Sequence, residues 1–219
     1  MNDQLPPGQV EIEDFPRWGL PEYVQQWPEV SSRPVLVLAG DVQTPCEISI
    51  DSLSALPRRE QVSDFHCAAT WSKRGLQWSG YRMRDFFEQI FVPQARPNRE
   101  ATYLALVGLD GYRVSFPLED ALAPDVMLAD QLGGEPLSVE HGAPIRLVAP
   151  AHYGYISAKH LCGIEVSRDP PDPRGGLVHP RARVALEERG ERTGPESRTT
   201  PAALQAMREY FRSLSRPLG

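Results

Sequence analysis

The chain has 219 residues, and its 23 basic and 29 acidic side chains give a formal net charge of −6 at pH 7. This balance argues against a nucleic-acid partner or an anionic membrane surface held by bulk electrostatics, and a hydrophobic content of 41% excludes wholesale disorder. No apolar run approaches the roughly 20 residues of a membrane span, and residues 1–5 lack the basic start of an export signal. We therefore expect a cytoplasmic protein without a membrane span.

The prolines, 22 in all, divide the chain into many short elements. Residues 1–33 are polar and proline-rich, which predicts an N-terminal arm without regular structure. Apolar and alternating runs predict strands over residues 34–40, 47–50, 62–67, 102–107, 112–116, 145–149 and 163–166. Short helices are predicted over 51–56, 83–90 and 157–160, and residues 126–132 fit either type. Pro93 is expected to end the second helix. Strands interrupted by short helices indicate an α+β fold with mixed sheets.

A break in composition follows the last predicted strand, at Asp169-Pro170-Pro171-Asp172-Pro173. We therefore predict a folded domain over residues 34–169 and a C-terminal extension over residues 170–219. The extension is rich in proline and arginine, and the apolar spacing over 204–214 predicts a single helix within it.

The three cysteines, Cys46, Cys67 and Cys162, form no C-x-x-C pair, which argues against a structural zinc site or an iron–sulfur cluster. Cys67 ends a predicted strand, and its residue type leaves three interpretations. Its thiolate can be the single soft ligand of a thiophilic metal, a nucleophile activated by His66, or simply a small buried apolar group.

Only two of the basic residues are lysines, Lys73 and Lys159. Lys159 follows a glycine-led turn with a serine, so exposed backbone N–H groups and an ammonium can together bind an anion there. The alternative is a solvated surface lysine. His141 and Arg146, five residues apart around a glycine and a proline, can grip a polyanion or form an ordinary turn.

Several segments follow one another in a distinctive order along the chain. They are His66-Cys67-Ala68-Ala69-Thr70-Trp71-Ser72, Trp78-Ser79-Gly80, Asp110-Gly111-Tyr112, the six residues from Pro117, the ten residues from His141, Tyr153-Gly154-Tyr155 and Ser157-Ala158-Lys159. In this order and spacing they resemble the molybdopterin domain of the sulfite oxidase family, and the resemblance covers roughly residues 34–168.

The resemblance implies a mixed-sheet α+β domain of the sulfite oxidase type that binds molybdenum as Mo-molybdopterin. Cys67 matches the molybdenum ligand at the catalytic centre of the family. The cofactor-binding positions are His141 and Arg146 for the pterin and its phosphate, Ser157, Ala158 and Lys159 for the phosphate, and His66 and Gly108 as further contacts. Phe15-Pro16-Arg17 resembles an arm that covers the pterin.

The chain also departs from the family pattern. Sulfite oxidases carry an asparagine–arginine pair shortly after the metal cysteine, where this chain has Ala69-Thr70-Trp71. A missing cation argues against sulfite as the substrate, and Arg74 is a candidate replacement. The Cys-x-x-x-Trp-Ser pattern is closer to the bacterial branch that contains the methionine sulfoxide reductase catalytic subunit. The sequence shows no cytochrome b5 domain, so the resemblance implies a separate electron-transfer partner.

The leading hypothesis is a cytoplasmic molybdenum oxidoreductase that moves an oxygen atom to or from a small substrate, with sulfur compounds as candidates. As large aromatic residues, Trp71 and Tyr153 fit either the wall of the substrate pocket or the core. A non-catalytic molybdopterin-binding or carrier module is an alternative, and a cysteine hydrolase that pairs Cys67 with His66 or His152 is another.

Overall fold

The computed structural model describes residues 5–169, apart from the side chain of Pro21, and shows two β-sheets joined by short helical segments. The strands are β1 (Val10–Glu11), β2 (Val35–Gly40), β3 (Cys46–Ser49), β4 (Arg58–His66), β5 (Trp71–Arg82), β6 (Tyr103–Gly108), β7 (Arg113–Pro117), β8 (Met127–Leu132), β9 (Glu135–Pro136), β10 (Arg146–Val148) and β11 (Leu161–Ser167). The helical segments are α1 (Pro21–Val24), a 3₁₀ turn (Ile50–Ala55), α2 (Met83–Phe86), a π-helical turn (Phe87–Phe91), α3 (Val92–Ala95) and α4 (Leu118–Ala121).

Both sheets are mixed, which confirms the predicted fold class. One sheet runs β1-β5-β8-β10, with β4 also paired to β5 and β9 to β8; the other runs β3-β2-β11-β6-β7. The pairs β1–β5 and β2–β11 are parallel, and the remaining pairs are antiparallel. Among the described residues, no helix has the length and apolar character that crossing a membrane requires.

The main core lies where the second sheet packs against the helical stretch of residues 83–95. In β2, Leu36 and Leu38 are fully buried, whereas Val35 and Val37 are about 40% exposed. This alternation turns one face of the sheet to the core, where Phe86 and other apolar residues of the helical stretch meet it.

Two helix predictions are wrong. Pro93 does not end its helix: it comes directly after the π-helical turn over Phe87–Phe91, and the helical stretch continues through α3 to Ala95. The helix expected over residues 157–160 does not form. Turns replace it there, and His160 adopts a positive φ of 52°.

The sequence patterns also missed part of the first sheet. β5 is a twelve-residue strand that the patterns did not indicate, because Gly75 and Gly80 interrupt it. Gly80 is needed where β5 meets β8, since a Cβ there would lie 2.1 Å from the carbonyl oxygen of Leu128. The N-terminal arm contains β1 and α1 rather than being wholly irregular. The extension over 170–219 and its predicted helix lie outside the described residues.

Candidate active site

A cleft of about 870 Å³, its open mouth included, lies between the N-terminal arm, the β4–β5 hairpin and the turns that lead into β11. Cys67 of the hairpin and Lys159 of the turns both line it. Two residues that the sequence singled out from separate motifs, 92 positions apart, therefore face the same cavity.

The hairpin loop after β4 holds Cys67 in place. The backbone N–H of Cys67 donates to the carbonyl of Trp71 at 2.8 Å, and that of Thr70 donates to the carbonyl of Cys67 at 3.1 Å. Thr70 closes this tight loop with a φ of 76°. The side-chain amide of Gln9, in the arm, donates to the carbonyl of Cys67 at 3.1 Å. Cys67 is 8% exposed. Hydrogen bonds from the hairpin on one side and from the arm on the other hold its backbone in place.

Arg146 forms a buried cation beside the cleft. Its guanidinium donates to the carbonyls of His141 at 2.9 Å and Ser157 at 3.1 Å, and lies 5.0 Å from the ring centre of Trp78. Burial lowers the pKa of Arg146 to about 9. Because these partners are neutral carbonyls and an aromatic ring, the positive charge has no carboxylate bonded to it.

Lys159 lies close to Arg146 and is also largely desolvated. Burial, followed by repulsion from Arg146 and Arg17, lowers the pKa of Lys159 to about 7, against a weaker opposing effect of Asp110 and Glu140. The ammonium donates to the carbonyl oxygen of Glu140 at 3.3 Å. The cluster thus holds three cations, Arg17, Arg146 and Lys159, whose pKa values are all lowered. An anion bound among them would stabilise their charged forms.

A glycine permits this clustering. Gly142 has a φ of 109°, and a Cβ at that position would lie 3.0 Å from the Cβ of Lys159 and 3.2 Å from the Cβ of Arg146. Only a glycine therefore fits where the turn passes between the two cations.

The N-terminal arm closes one side of the cleft through Arg17. Its guanidinium donates to the carbonyls of Val24 at 2.9 Å and Val139 at 3.1 Å, and one of its nitrogens lies 3.0 Å from Nε2 of His160. The side chain also stacks on Trp27. Arg17 thus ties the arm to the turn before β10, and the weak arm motif was the only sequence signal for it.

Four of the predicted cofactor-binding residues line the cleft: Arg146, Ser157, Ala158 and Lys159. The Ser157 hydroxyl accepts from the backbone N–H of Ala149 at 3.2 Å, so in this arrangement it supports the turn.

His141, His66 and Gly108 are the predicted contacts that do not line the cleft. His141 holds the arm, since its Nε2 lies 2.9 Å from the carbonyl oxygen of Phe15 and the two rings are stacked. Nδ1 of His66 lies 2.8 Å from the hydroxyl of Ser72. Gly108 packs closely, because a Cβ there would lie 2.7 Å from the carbonyl oxygen of Lys159.

Other candidates from the sequence also lie elsewhere. Arg74 is outside the cleft lining and pairs with Glu11 at 3.4 Å, so it does not replace the missing cation. Tyr153 is fully buried and packs against Ala68 instead of lining the cleft, whereas Trp71 does line it. His152, a base in the hydrolase alternative, pairs with Asp120 at 3.5 Å and likewise lies outside the lining.

Several cleft residues were given no role from the sequence, including Trp18, Asp110 and Tyr112, although Asp110 and Tyr112 belong to one of the segments that carry the family resemblance. The hydroxyl of Tyr112 donates to the carbonyl of Tyr155 at 2.6 Å, and burial raises the pKa of this phenol well above its usual value. These residues come from the arm and from the β6–β7 turn, whose approach to Cys67 has no local sequence signature.

The donor set fits a metal cofactor that brings its own ligands. Within residues 5–169, no group of three or more His, Cys, Asp or Glu side chains could hold a metal ion. One cysteine on the cleft wall and a cationic cluster in the same cleft instead suit a metal whose other ligands belong to an anionic organic group.

Comparisons with known proteins identify that group. A family model described as "Oxidoreductase molybdopterin binding domain" matches residues 26–174, which is more than half of the chain. The chain belongs to this family. It is therefore a molybdopterin-binding oxidoreductase domain whose cofactor is Mo-molybdopterin, as the sequence resemblance implied.

Two relatives are bacterial oxidoreductases. The chain is 34% identical over 157 residues to the "Uncharacterized oxidoreductase YuiH" of Bacillus subtilis, an alignment that covers 72% of this chain and 69% of YuiH. It is 28% identical over 152 residues to the "Protein-methionine-sulfoxide reductase catalytic subunit MsrP" of Campylobacter jejuni, covering 61% of this chain and 49% of MsrP.

The fold has a counterpart among solved structures. The sulfane dehydrogenase SoxCD from Paracoccus pantotrophus superposes with a TM-score of 0.60 at 23% identity, covering 72% of this chain and 46% of the SoxCD chain. This likeness confirms the sulfite-oxidase-type fold. The chain spans about half the length of MsrP and of the SoxCD chain.

Proposed function

We propose that this domain catalyses oxygen-atom transfer on a small sulfur-containing substrate and exchanges electrons with a separate carrier. The observation that carries the proposal is the shared cleft, in which the Cys67 thiol and the Lys159 cluster stand on the walls of one cavity. Mo-molybdopterin, when bound, supplies two-electron redox chemistry at the metal. In the reductive direction the balance is sulfoxide plus two electrons and two protons giving sulfide and water.

Each part of the protein has a distinct role in this proposal. Cys67 is the protein's ligand to molybdenum, and the hairpin hydrogen bonds to Trp71 keep it oriented. Lys159 and Arg146 neutralise the cofactor phosphate, which relieves the repulsion between their buried charges. Arg17 and His141 hold the arm against the cleft, which limits the access of water.

Sulfur compounds are favoured as substrates for two reasons. The name of MsrP describes a reductase of methionine sulfoxide in proteins, and that relative is 28% identical to this chain. Ala68 and Ala69, which follow Cys67 and line the cleft, carry no charge for a sulfite dianion. The sequence-based expectation of a cytoplasmic protein remains part of the proposal.

Replacement of the metal ligand tests the function. Cys67→Ser protein from a molybdenum-replete host should lose oxygen-atom transfer with a sulfoxide and a reduced dye, whereas Cys162→Ser should retain both activity and stoichiometric molybdenum. Cys162 is the matched control because it lies in β11, outside the cleft lining. Unchanged turnover in Cys67→Ser would refute the metal role. A loaded wild type without any redox activity would support the carrier alternative.

A further inference from the structure

One residue of the N-terminal arm, Gln9, forms hydrogen bonds through both polar atoms of its side chain. Its amide nitrogen donates to the carbonyl oxygen of Cys67 at 3.1 Å, and its amide oxygen accepts from the hydroxyl of Ser72, also at 3.1 Å. Cys67 directly follows β4, and Ser72 is the second residue of β5. Gln9 therefore spans the base of the hairpin loop that carries the thiol.

The local sequence determines where Gln9 lies. Pro6-Pro7-Gly8-Gln9 forms a tight turn, in which the backbone N–H of the fourth residue donates to the carbonyl of the first at 3.1 Å and Gly8 has a φ of 75°. Proline followed by glycine at the two central positions is typical of a type II turn. Directly after the turn, the backbone N–H of Val10 donates to the carbonyl of Thr70 at 3.0 Å, where β1 pairs with β5. The turn and the strand pairing together present the Gln9 side chain to the loop.

The hydrogen bonds around Ser72 fix which end of the Gln9 amide faces the loop. Ser72 is fully buried, and its hydroxyl has a single proton, which it donates to Gln9. Nδ1 of His66 lies 2.8 Å from the same hydroxyl, so this nitrogen carries the hydrogen of that contact. The hydrogen bonds then run in one direction, from the imidazole through the hydroxyl and the amide to the carbonyl of Cys67.

The peptide that joins Cys67 to Ala68 is held by two donors. Its carbonyl accepts from the backbone N–H of Thr70 as well as from the side chain of Gln9. Just beyond this peptide, the backbone N–H of Ala69 donates to Sγ of Cys67 at 3.5 Å. Rotation of the peptide would break both bonds to the carbonyl and move the N–H of Ala69 away from the sulfur. Groups that hydrogen-bond to a metal ligand orient it and tune the metal.

We propose that Gln9 is a positioning residue that couples the seating of the N-terminal arm to the direction of the Cys67 sulfur. The arm then supports the metal ligand in addition to closing one side of the cleft. This inference rests on the proposed function, in which the sulfur binds molybdenum, and it adds a residue outside the motifs that carry the family resemblance. Loss of the Gln9 side chain should leave the arm in place, because the pairing of β1 with β5 uses backbone groups.

Cysteine labelling of the cofactor-free, full-length protein tests the positioning without relying on turnover. Gln9→Met keeps the length of the side chain but removes both of its polar atoms. The variant should raise the rate at which iodoacetamide labels the buried Cys67 by roughly 3–10-fold, which is the effect of one hydrogen bond on the opening of the loop. Cys46 and Cys162, followed in the same samples by mass spectrometry, should keep their wild-type rates.

The holoenzyme provides a second readout that is independent of its activity. Molybdenum reduced by one electron is paramagnetic, so its electron paramagnetic resonance spectrum reports the orientation of the sulfur ligand. We expect the signal of Gln9→Met to shift or to split into several components, whereas Gln25→Met should give the wild-type spectrum. Gln25 is the matched control, because it is an exposed glutamine of the same arm and lies outside the cleft lining.

Limited proteolysis separates positioning from simple anchoring of the arm. If Gln9→Met leaves the cleavage rate of the arm unchanged while the labelling of Cys67 accelerates, the result supports the proposal. If the arm is cleaved faster in step with the labelling, Gln9 only anchors the arm and the inference is overturned. Wild-type labelling together with a wild-type spectrum also overturns it.

The outcomes distinguish this inference from the proposed function. Loss of oxygen-atom transfer in Cys67→Ser, combined with wild-type labelling in Gln9→Met, preserves the proposed function and overturns the inference. Faster labelling in Gln9→Met, combined with a Cys67→Ser protein that is active and loaded with molybdenum, supports the positioning of the thiol and refutes its metal role.

Discussion

The pKa of Lys159 is the most direct quantity to measure at the cationic cluster. Burial and the neighbouring charges of Arg146 and Arg17 lower it from 10.5 to about 7. In the cofactor-free protein, Lys159 should therefore lose half of its charge near neutral pH. A bound anion favours the charged form, so the pKa of Lys159 should rise when the phosphate of the cofactor is in place.

The consequence for anion binding follows from the protonated fraction. At pH 6 about nine-tenths of Lys159 carries its proton, and at pH 8.5 only about 3% does, so an anion that requires the ammonium should bind about 30-fold more weakly at pH 8.5. The unfolded chain binds more protons than the folded chain between pH 7 and 10.5. Cofactor-free protein should thus gain stability as the pH rises through this range.

Lysine labelling makes the assay simple. The protein has only two lysines, so ¹³Cε-lysine gives two signals, and Lys159→Arg removes one of them and assigns it. Sulfate is a suitable anion because its own charge is constant from pH 6 to 9. Titration of the Lys159 signal only above pH 9.5, or sulfate binding by wild type that is as strong at pH 8.5 as at pH 6, would refute the reasoning.

Two further predictions concern the walls of the cleft. Gly154→Ala would place a methyl group 2.1 Å from Cζ of Phe65. Overpacking of this kind should lower the free energy of unfolding, measured in urea, by roughly 1–3 kcal/mol. An unchanged urea midpoint would contradict this close packing. Arg17→Gln removes the donors to the carbonyls of Val24 and Val139. The arm should then be cleaved roughly tenfold faster in limited proteolysis. Equal cleavage rates in the variant and the wild type would show that Arg17 does not hold the arm.

Local patterns predicted the strands that alternate or form short apolar runs, such as β2 and β6, because burial on one face leaves a direct signature. They failed where tertiary contacts override local preference. Pro93 lies inside a helical stretch, next to a π-helical turn, and β5 contains Gly80 because the neighbouring strand passes too closely for a side chain. Neither circumstance is visible in the residues themselves.

The site residues themselves remain predictions, but the structure shows where each of them lies. Cys67, Arg146 and Lys159, which suit a thiophilic metal and an anion, come together in one cleft. The imidazoles of His66 and His141, assigned to cofactor contacts by the resemblance, lie next to Ser72 and the arm. The side to which a strand or turn directs each side chain depends on its register, which the motif alone does not specify.

The sequence by itself was sufficient to predict a molybdopterin-dependent oxidoreductase, because the order and spacing of the motifs around Cys67 and Lys159 resemble those of the sulfite oxidase family. Only the tertiary structure showed which distant residues come together around the cleft. Arg17 meets His160 across 143 residues of chain, and Trp18 reaches Trp71 because β1 pairs with β5. Such contacts arise from the packing of distant segments, which depends on the whole fold and leaves no local pattern.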